Sequence, residues 1–250
     1  MRVLDSVAQQ TVPARAHAIA AVTTIIGLGS LSLFGLFLWT GGLELVDLGM
    51  GWRSALLWDG ALCLAFFLQH SGMVRRSFRV WLSRVVPLYC HGAFYTVASG
   101  AALLLLAACW QPSHINVLVL EGAVRWPVRG LFLLSLVGVL WGIRALGDFD
   151  AFGIQAMLSH FQREQPAPAP LTIRGPYRWV RHPLYFFVIV AIWACPALSL
   201  DRILLGVLCT FWIAAGAMLE ERDLVAQFGD AYRAYQRKIP MWLPWRLPSA

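Results

Sequence analysis

Two clusters in the C-terminal third carry residue types able to do chemistry. The first runs Arg174-Gly175-Pro176-Tyr177-Arg178-Trp179-Val180-Arg181-His182-Pro183-Leu184-Tyr185. Gly175 and Pro176 set a turn, and Pro183 suits the first turn of a following helix, where its missing N–H is not needed. His182 then falls beside a helix N-cap, where unpaired backbone donors can face a polar ligand. Arg174, Arg178 and Arg181 could equally be snorkelling anchors at a membrane interface. Residue chemistry leaves both readings open.

The second cluster is Glu220-Glu221-Arg222-Asp223, directly after an apolar run. Adjacent side chains on a helix diverge by about 100°, so one carboxylate can face a bundle interior while the other meets water or Arg222. If the helix continues, Glu220 lies at a depth where a carboxylate is costly. A sulfonium or ammonium ligand would account for it there; a solvated helix end is the alternative. A third group, Asp59, Gln69, His70, Ser71 and His91, lies in the N-terminal apolar runs. Asp59 should face the interior, most simply as an interhelical hydrogen-bonding group. Gln69, His70 and Ser71 end their run on the side that also holds the two clusters.

The elements that position these residues are membrane spans. Of the 250 residues, 59% are hydrophobic and 13% charged, against about 45–50% and about 25% in soluble domains. A helical span needs roughly 20 apolar residues. His17 to Trp39, Trp52 to Ser71, Cys90 to Gln111 and Trp126 to Leu146 qualify, followed by two shorter runs, Leu184 to Leu200 and Ile203 to Leu219. The last two are divided only by Asp201 and Arg202 and predict a tight helical hairpin. The expected fold is an all-α integral membrane protein: a bundle of about six transmembrane helices (five if the hairpin does not fully cross), with helical extensions beyond the membrane. The first run is too long and too far from the start for a signal-peptide core and is expected to be retained after a short polar lead, Met1 to Ala16.

Three units follow: a four-span half (1–146), an interfacial helix with a proline-rich connector (147–170), and a helical hairpin with a C-terminal helix (171–250). Asp148 to His160 predicts a short amphipathic helix with Phe149, Phe152, Ile154, Met157, Leu158 and Phe161 towards lipid. Gln165 to Pro170 alternates proline and predicts an extended connector. Glu220 to Lys238 is helical in pattern and prolongs the last span, with Tyr232 and Tyr235 on one face. Pro240, Trp242, Pro244 and Trp245 suit the headgroup zone.

The net charge of +7 does not point to nucleic acid. Arg75, Arg76, Arg79 and Arg84 fill one inter-span segment, Arg163, Arg174, Arg178 and Arg181 another, and Arg233, Arg237 and Lys238 the C-terminal stretch. The alternate segments carry Glu44, Asp47 and Glu121. The positive-inside rule then puts both termini and the basic segments in the cytoplasm. The five cysteines lack metal-site or disulfide spacing and read as packing residues. No glycine-rich nucleotide loop, HExxH, Walker or serine-elbow pattern occurs.

The sequence Gly-Pro-Tyr-Arg-Trp-Val-Arg-His-Pro-Leu-Tyr (175–185), an apolar hairpin, then Glu220-Glu221-Arg222-Asp223 and Tyr232-Arg233-Ala234-Tyr235 resembles the isoprenylcysteine carboxyl methyltransferase superfamily. Gln69 to Arg76, Trp110-Gln111-Pro112, Asp150 to Gln155 and Pro240-Met241 resemble its methanethiol S-methyltransferase branch. The resemblance implies S-adenosyl-L-methionine as cofactor, held by Arg181, His182, Pro183, Tyr185, Glu220 and Glu221, with Tyr177 in the same segment and Tyr232 and Tyr235 closing the site. It implies a bacterial inner-membrane enzyme with a cytoplasmic active site, in contact with membrane lipid and with no obligate protein partner. The isoprenylcysteine enzymes place an arginine about a turn before the first glutamate; this chain reads Ala214-Ala215-Gly216-Ala217-Met218, which fits a small neutral thiol better than a carboxylate substrate. A thiol must reach its thiolate form to act as nucleophile, and His70 or His182 is the candidate general base. Glu220 would hold the cofactor's cation. A prenylcysteine carboxylate or another lipid-like substrate is the alternative, and a non-catalytic sensor or transporter using Asp59 is a third.

Overall fold

The computed structural model describes residues 13–147, 150–162 and 170–244. Phe149, Arg163, Trp245, most of the polar lead and most of the proline-rich connector lie outside the described residues.

The chain is predominantly helical. Helix α1 (Ala14–Thr40) stops where Gly41 takes a left-handed φ of 95°. Helix α2 (Trp52–Val74) is followed by the short α3 (Arg76–Leu82), then by α4 (His91–Cys109), entered through a 3-10 turn at Leu88–Cys90. Helix α5 (Arg125–Ala145), preceded by another 3-10 turn at Gly122–Val124, and α6 (Gln155–Gln162) come before a third such turn at Gly175–Arg178. The C-terminal part comprises α7 (Pro183–Trp193), α8 (Leu200–Phe228) and α9 (Asp230–Lys238).

Four of these elements are long and apolar enough to cross a bilayer: α1, α4 with its entry turn, α5 with its preceding turn, and α8. Helix α2 has 23 residues, or about 35 Å at about 1.5 Å per residue, but Asp59, Gln69 and His70 dilute its apolar content. Helix α7 has only 11 residues, or about 16 Å, against a hydrocarbon core of about 30 Å. The expected run to Leu200 is cut at Trp193 because Pro196 cannot continue a helix. After it, Ala197–Ser199 forms strand β2, antiparallel to β1 (Asn116–Val119). A small two-stranded sheet is therefore added to a fold expected to be wholly helical.

Asp201 and Arg202 were expected at the tip of a hairpin. They lie instead in the first turn of α8, almost wholly buried. Asp201 sits where the helix dipole favours an anion and accepts from Trp110 Nε1 (3.1 Å) and from Ser113 N and Oγ (3.0 and 2.6 Å). Arg202 donates to the Leu38 and Phe37 carbonyls at the end of α1 (2.8 and 3.4 Å). Asp59, fully buried in α2, accepts from Gln111 N at 2.9 Å. These polar braces tie α1, α2 and α8 to the segment after α4. Beside them lies the apolar core, with Phe37, Cys63, Phe67, Leu106, Trp110, Ile192 and Leu205 in contact. Ile25, Leu57, Leu134 and Phe211 point outward, an apolar exterior suited to lipid and adverse in water.

Helix α7 is held by close approach to α5. A Cβ added at Gly138 would fall 2.4 Å from the Phe187 ring, and one at Gly142 would fall 2.6 Å from Leu184. This is the Gly-x-x-x-Gly device by which membrane helices pack tightly without a hydrophobic driving force. It sets the position of the helix that starts at Pro183.

The 150–162 segment departs from the expected lipid-facing helix. Asp150 Oδ1 and Oδ2 accept from the Ile154 and Gln155 amides (2.9 and 2.8 Å), so α6 starts at Gln155. Phe152 turns inward: its carbonyl accepts from Thr96 Oγ1 at 2.9 Å, and its ring lies over Gly27. Met157 is fully buried. Gly153, at φ 66°, touches Gly92 backbone to backbone, and a Cβ there would lie 2.3 Å from the Gly92 Cα. An aromatic can fill a groove in protein as well as in lipid, so periodicity alone could not choose between them.

Candidate active site

The second cluster meets the first because α8 runs unbroken from Leu200 to Phe228 and carries both glutamates past the start of α7. At Gly229 the chain turns (φ 57°) into α9, which folds back. The Arg181 and His182 amides donate to the Pro240 and Met241 carbonyls at 2.9 and 3.3 Å. This short backbone pairing stitches the segment before α7 to the one after α9. The expected headgroup-zone tail is thus part of the site.

The two carboxylates take different roles. Glu221 is the inner one, with a side chain 13% exposed. It accepts a bidentate pair from Arg181, Nε to Oε1 at 2.5 Å and Nη2 to Oε2 at 3.1 Å. Gln236 Nε2 adds a third donor at 2.9 Å, and His182 Nε2 lies 3.3 Å from Oε1. Arg181 directs Nη1 to the Gln236 and Ile239 carbonyls (3.1 and 2.6 Å), closing the C-terminal end of α9. Fork-to-carboxylate geometry of this kind is both strong and directional.

Glu220, the carboxylate expected to hold the cofactor's cation, is 44% exposed. The divergence of neighbouring helix positions hands the interior to Glu221. Glu220 Oε2 accepts from the Tyr185 hydroxyl at 2.8 Å and lies 3.8 Å from His182 Nδ1. No arginine or lysine pairs with it among the described residues.

His182 is the N-cap residue of α7, as its place before Pro183 predicts, and its side chain is 5% exposed. Its ring is parallel to Tyr185 (centroids 5.4 Å apart, 7° between planes), with Trp242 at 5.9 Å on the cluster's edge. Burial holds this imidazole below its ordinary value, against the opposing pull of Glu220 and Glu221. The neutral ring therefore predominates near neutral pH.

Tyr232 and Tyr235 share the inner face of α9, edge to face at 5.7 Å, both buried. Burial raises both phenols above their ordinary value, so they remain protonated. The Tyr235 hydroxyl donates to the Tyr177 carbonyl at 2.6 Å, which locks α9 to the Gly175–Arg178 turn. Tyr177, Arg181, His182, Pro183, Tyr185, Glu220, Glu221, Tyr232 and Tyr235 thus come together. His70 stands apart from this knot, near the end of α2. Its Nε2 lies 2.9 Å from the Tyr95 hydroxyl of α4, and its ring stacks on Phe66 at 5.2 Å.

Three residues of this region were not singled out as site residues: Gln236, Trp242 and Tyr95. Gln236 follows Tyr235 directly, but nothing in the sequence tells that its amide reaches Glu221. Trp242 reads as an interfacial aromatic. Tyr95 was detectable as a phenol inside an apolar run, four residues after His91.

The phospholipid methyltransferase family profile matches residues 128–231, from α5 into α9. A methanethiol S-methyltransferase of a Pseudomonas species is 36% identical over 203 residues, covering 79% of this chain and 76% of the relative. That of Pseudomonas deceptionensis is 34% identical over 197 residues (78% and 75%). Nurim of Bos taurus is more distant, 26% identical over 202 residues (71% and 74%). No solved structure matches the chain.

Proposed function

Because the chain belongs to the methanethiol S-methyltransferase family and is a membrane methyltransferase, we propose that it S-methylates a small thiol, methanethiol to dimethyl sulfide, with S-adenosylmethionine as donor. The observation that carries this reading is the unequal fate of the two carboxylates. Arg181 neutralises Glu221, while Glu220 stays 44% exposed, oriented by Tyr185 and without an arginine or lysine partner among the described residues. A carboxylate fixed by a phenol and open on one side suits a cationic ligand. The parallel His182 and Tyr185 rings with Trp242 nearby suit a flat base. These residues fit the donor.

When bound, S-adenosylmethionine supplies an electrophilic methyl on a positively charged sulfur. The chain's own residues supply the rest. Glu220 holds the positive charge. Arg181, Glu221 and Gln236 lock α9 across the start of α7, and Tyr232 and Tyr235 back that wall. Alignment of acceptor against donor is worth several kcal/mol, up to roughly 7–11, and an enclosed site keeps water from competing. A neutral imidazole, His70 or His182, takes the thiol proton. Ala214 to Met218 carry no cation for an acceptor carboxylate, which favours a small thiol over a prenylcysteine. In the bilayer, α2 joins the four long apolar helices as a span, and α7 with the 194–199 strand segment completes a sixth crossing. Both termini and the site face the cytoplasm at the inner membrane, following the arginine bias.

The test is paired. Purified protein should bind S-adenosylmethionine saturably, and expressing cells fed methanethiol should release dimethyl sulfide measurable by headspace chromatography. Absence of donor binding refutes the methyltransferase site. Binding without dimethyl sulfide above the empty-vector background refutes the thiol.

A further inference from the structure

We propose that the methyl acceptor sits over Gly216, between the His70–Tyr95 pair and the Tyr185–Glu220 pair, with Tyr95 positioning His70 as the base. The assignment rests on the thiol-methylation reading above.

Trp212, Gly216 and Glu220 are spaced four apart and so lie on one flank of α8 in successive turns. The two ends of that flank reach different neighbours. The Trp212 indole stacks on Phe67 of α2 (4.8 Å, 9°) and donates to Ser71 Oγ at 3.0 Å. Glu220 accepts from Tyr185 of α7. Gly216, between them, faces the gap between α2 and α7, and a Cβ there would meet nothing within 4 Å. Helix α4 closes the gap: the Tyr95 hydroxyl touches His70 and is near enough to Tyr185 to interact with it electrostatically. These contacts place residues of α2, α4, α7 and α8 around the Gly216 flank. Glu220 stands one turn, about 6 Å, from Gly216. One helical turn between Gly216 and the carboxylate suits an acceptor of a few heavy atoms.

The two candidate bases are not equivalent. Both ring nitrogens of His182 face carboxylates, at 3.3 and 3.8 Å, and its ring lies parallel to that of Tyr185. His70 meets a neutral phenol. In this assignment Nε2–H of His70 donates to the Tyr95 oxygen across the shorter contact, 2.9 Å against 3.2 Å to Nδ1. The Nδ1 lone pair is then the basic one, since the partner of one imidazole nitrogen fixes the state of the other. In the transfer the thiol proton passes to Nδ1. The acceptor sulfur's electron pair forms the new S–CH3 bond. The bond from that methyl to the donor sulfonium breaks, and its electron pair stays on the donor sulfur as a neutral thioether. The imidazolium then returns its proton to water.

The test uses purified full-length protein and two variants, Tyr95→Phe and Gly216→Leu. S-adenosylhomocysteine affinity is read by calorimetry, and kcat and KM for methanethiol are read across pH. Tyr95→Phe should keep product affinity while kcat falls about a hundredfold. Its acid limb of kcat/KM should move to lower pH, because the lost acceptor no longer stabilises the imidazolium. Gly216→Leu should raise the methanethiol KM at least roughly tenfold at unchanged product affinity. An unmoved acid limb with wild-type kcat in Tyr95→Phe, or an unchanged KM in Gly216→Leu, overturns the assignment. So does loss of product affinity in either variant, which would make these residues part of the donor site or the fold. Failure of the wild-type protein to bind the product overturns the methyltransferase site itself.

Discussion

Replacing Arg181 with Met should release α9 from the bundle without unfolding it. The substitution keeps the aliphatic stem and deletes the guanidinium. Glu221 loses its bidentate partner, and the Gln236 and Ile239 carbonyls lose their donor. Removing one member of a buried pair costs about 3–5 kcal/mol, because the other charge is left behind. The side chains are 11% and 13% exposed, so water offsets part of the loss and the low end, about 3 kcal/mol, applies. That corresponds to roughly a hundredfold change in a local opening equilibrium. Hydrogen exchange of detergent-solubilised protein reads it directly: amides of 230–238 should lose about a hundredfold in protection, while those of α1 and α5 stay unchanged. A second substitution supplies the control. Adding Glu221→Leu removes the stranded charge and should restore at least half of the lost protection, a non-additivity expected of groups in contact. Wild-type protection of α9 in Arg181→Met, or strictly additive losses in the double variant, would refute the account of this pair as the clasp.

Three further outcomes follow from other parts of the molecule. Because burial lowers the His182 imidazole, its stabilising contribution is complete above about pH 6.5 and is lost as pH falls through the lowered native value. Thermal stability of the wild type should therefore drop over that acid window, and His182→Asn should lose that part of the slope; identical slopes would contradict the buried neutral ring. Glu220→Gln keeps an acceptor for Tyr185 but removes the charge, so S-adenosylmethionine affinity should fall about tenfold or more, and further than that for S-adenosylhomocysteine, which lacks the sulfonium. Equal affinities in variant and wild type would place the cation elsewhere. Gly153→Ala combines a left-handed backbone, costing about 1–2 kcal/mol for an ordinary residue, with a 2.3 Å approach to Gly92, and should lower the melting temperature of the solubilised protein by several degrees. An unchanged melting temperature would mean that the 150–162 segment is not docked as described.

Local chemistry carried much of this protein. Apolar run length and the positions of Gly175 and Pro183 depend on short-range physics, so the long apolar helices, the turn at Gly175–Arg178 and the N-cap place of His182 were legible. The gathering of the 177–185 and 220–235 residues was legible too, but through the resemblance of their paired motifs. What only the tertiary structure decided are choices between neighbours with the same local character. Glu220 and Glu221 are chemically alike, and Glu221 became the buried partner only because Arg181 and Gln236 meet its side of α8. Phe152 could have faced lipid, but a groove over Gly27 received it. Asp201 and Arg202 read as a polar hairpin tip until Trp110, Ser113 and the end of α1 supplied hydrogen bonds for both inside the bundle. Each choice turns on partners between 15 and 165 residues away in sequence, and such partners leave no trace in hydrophobic period or turn chemistry.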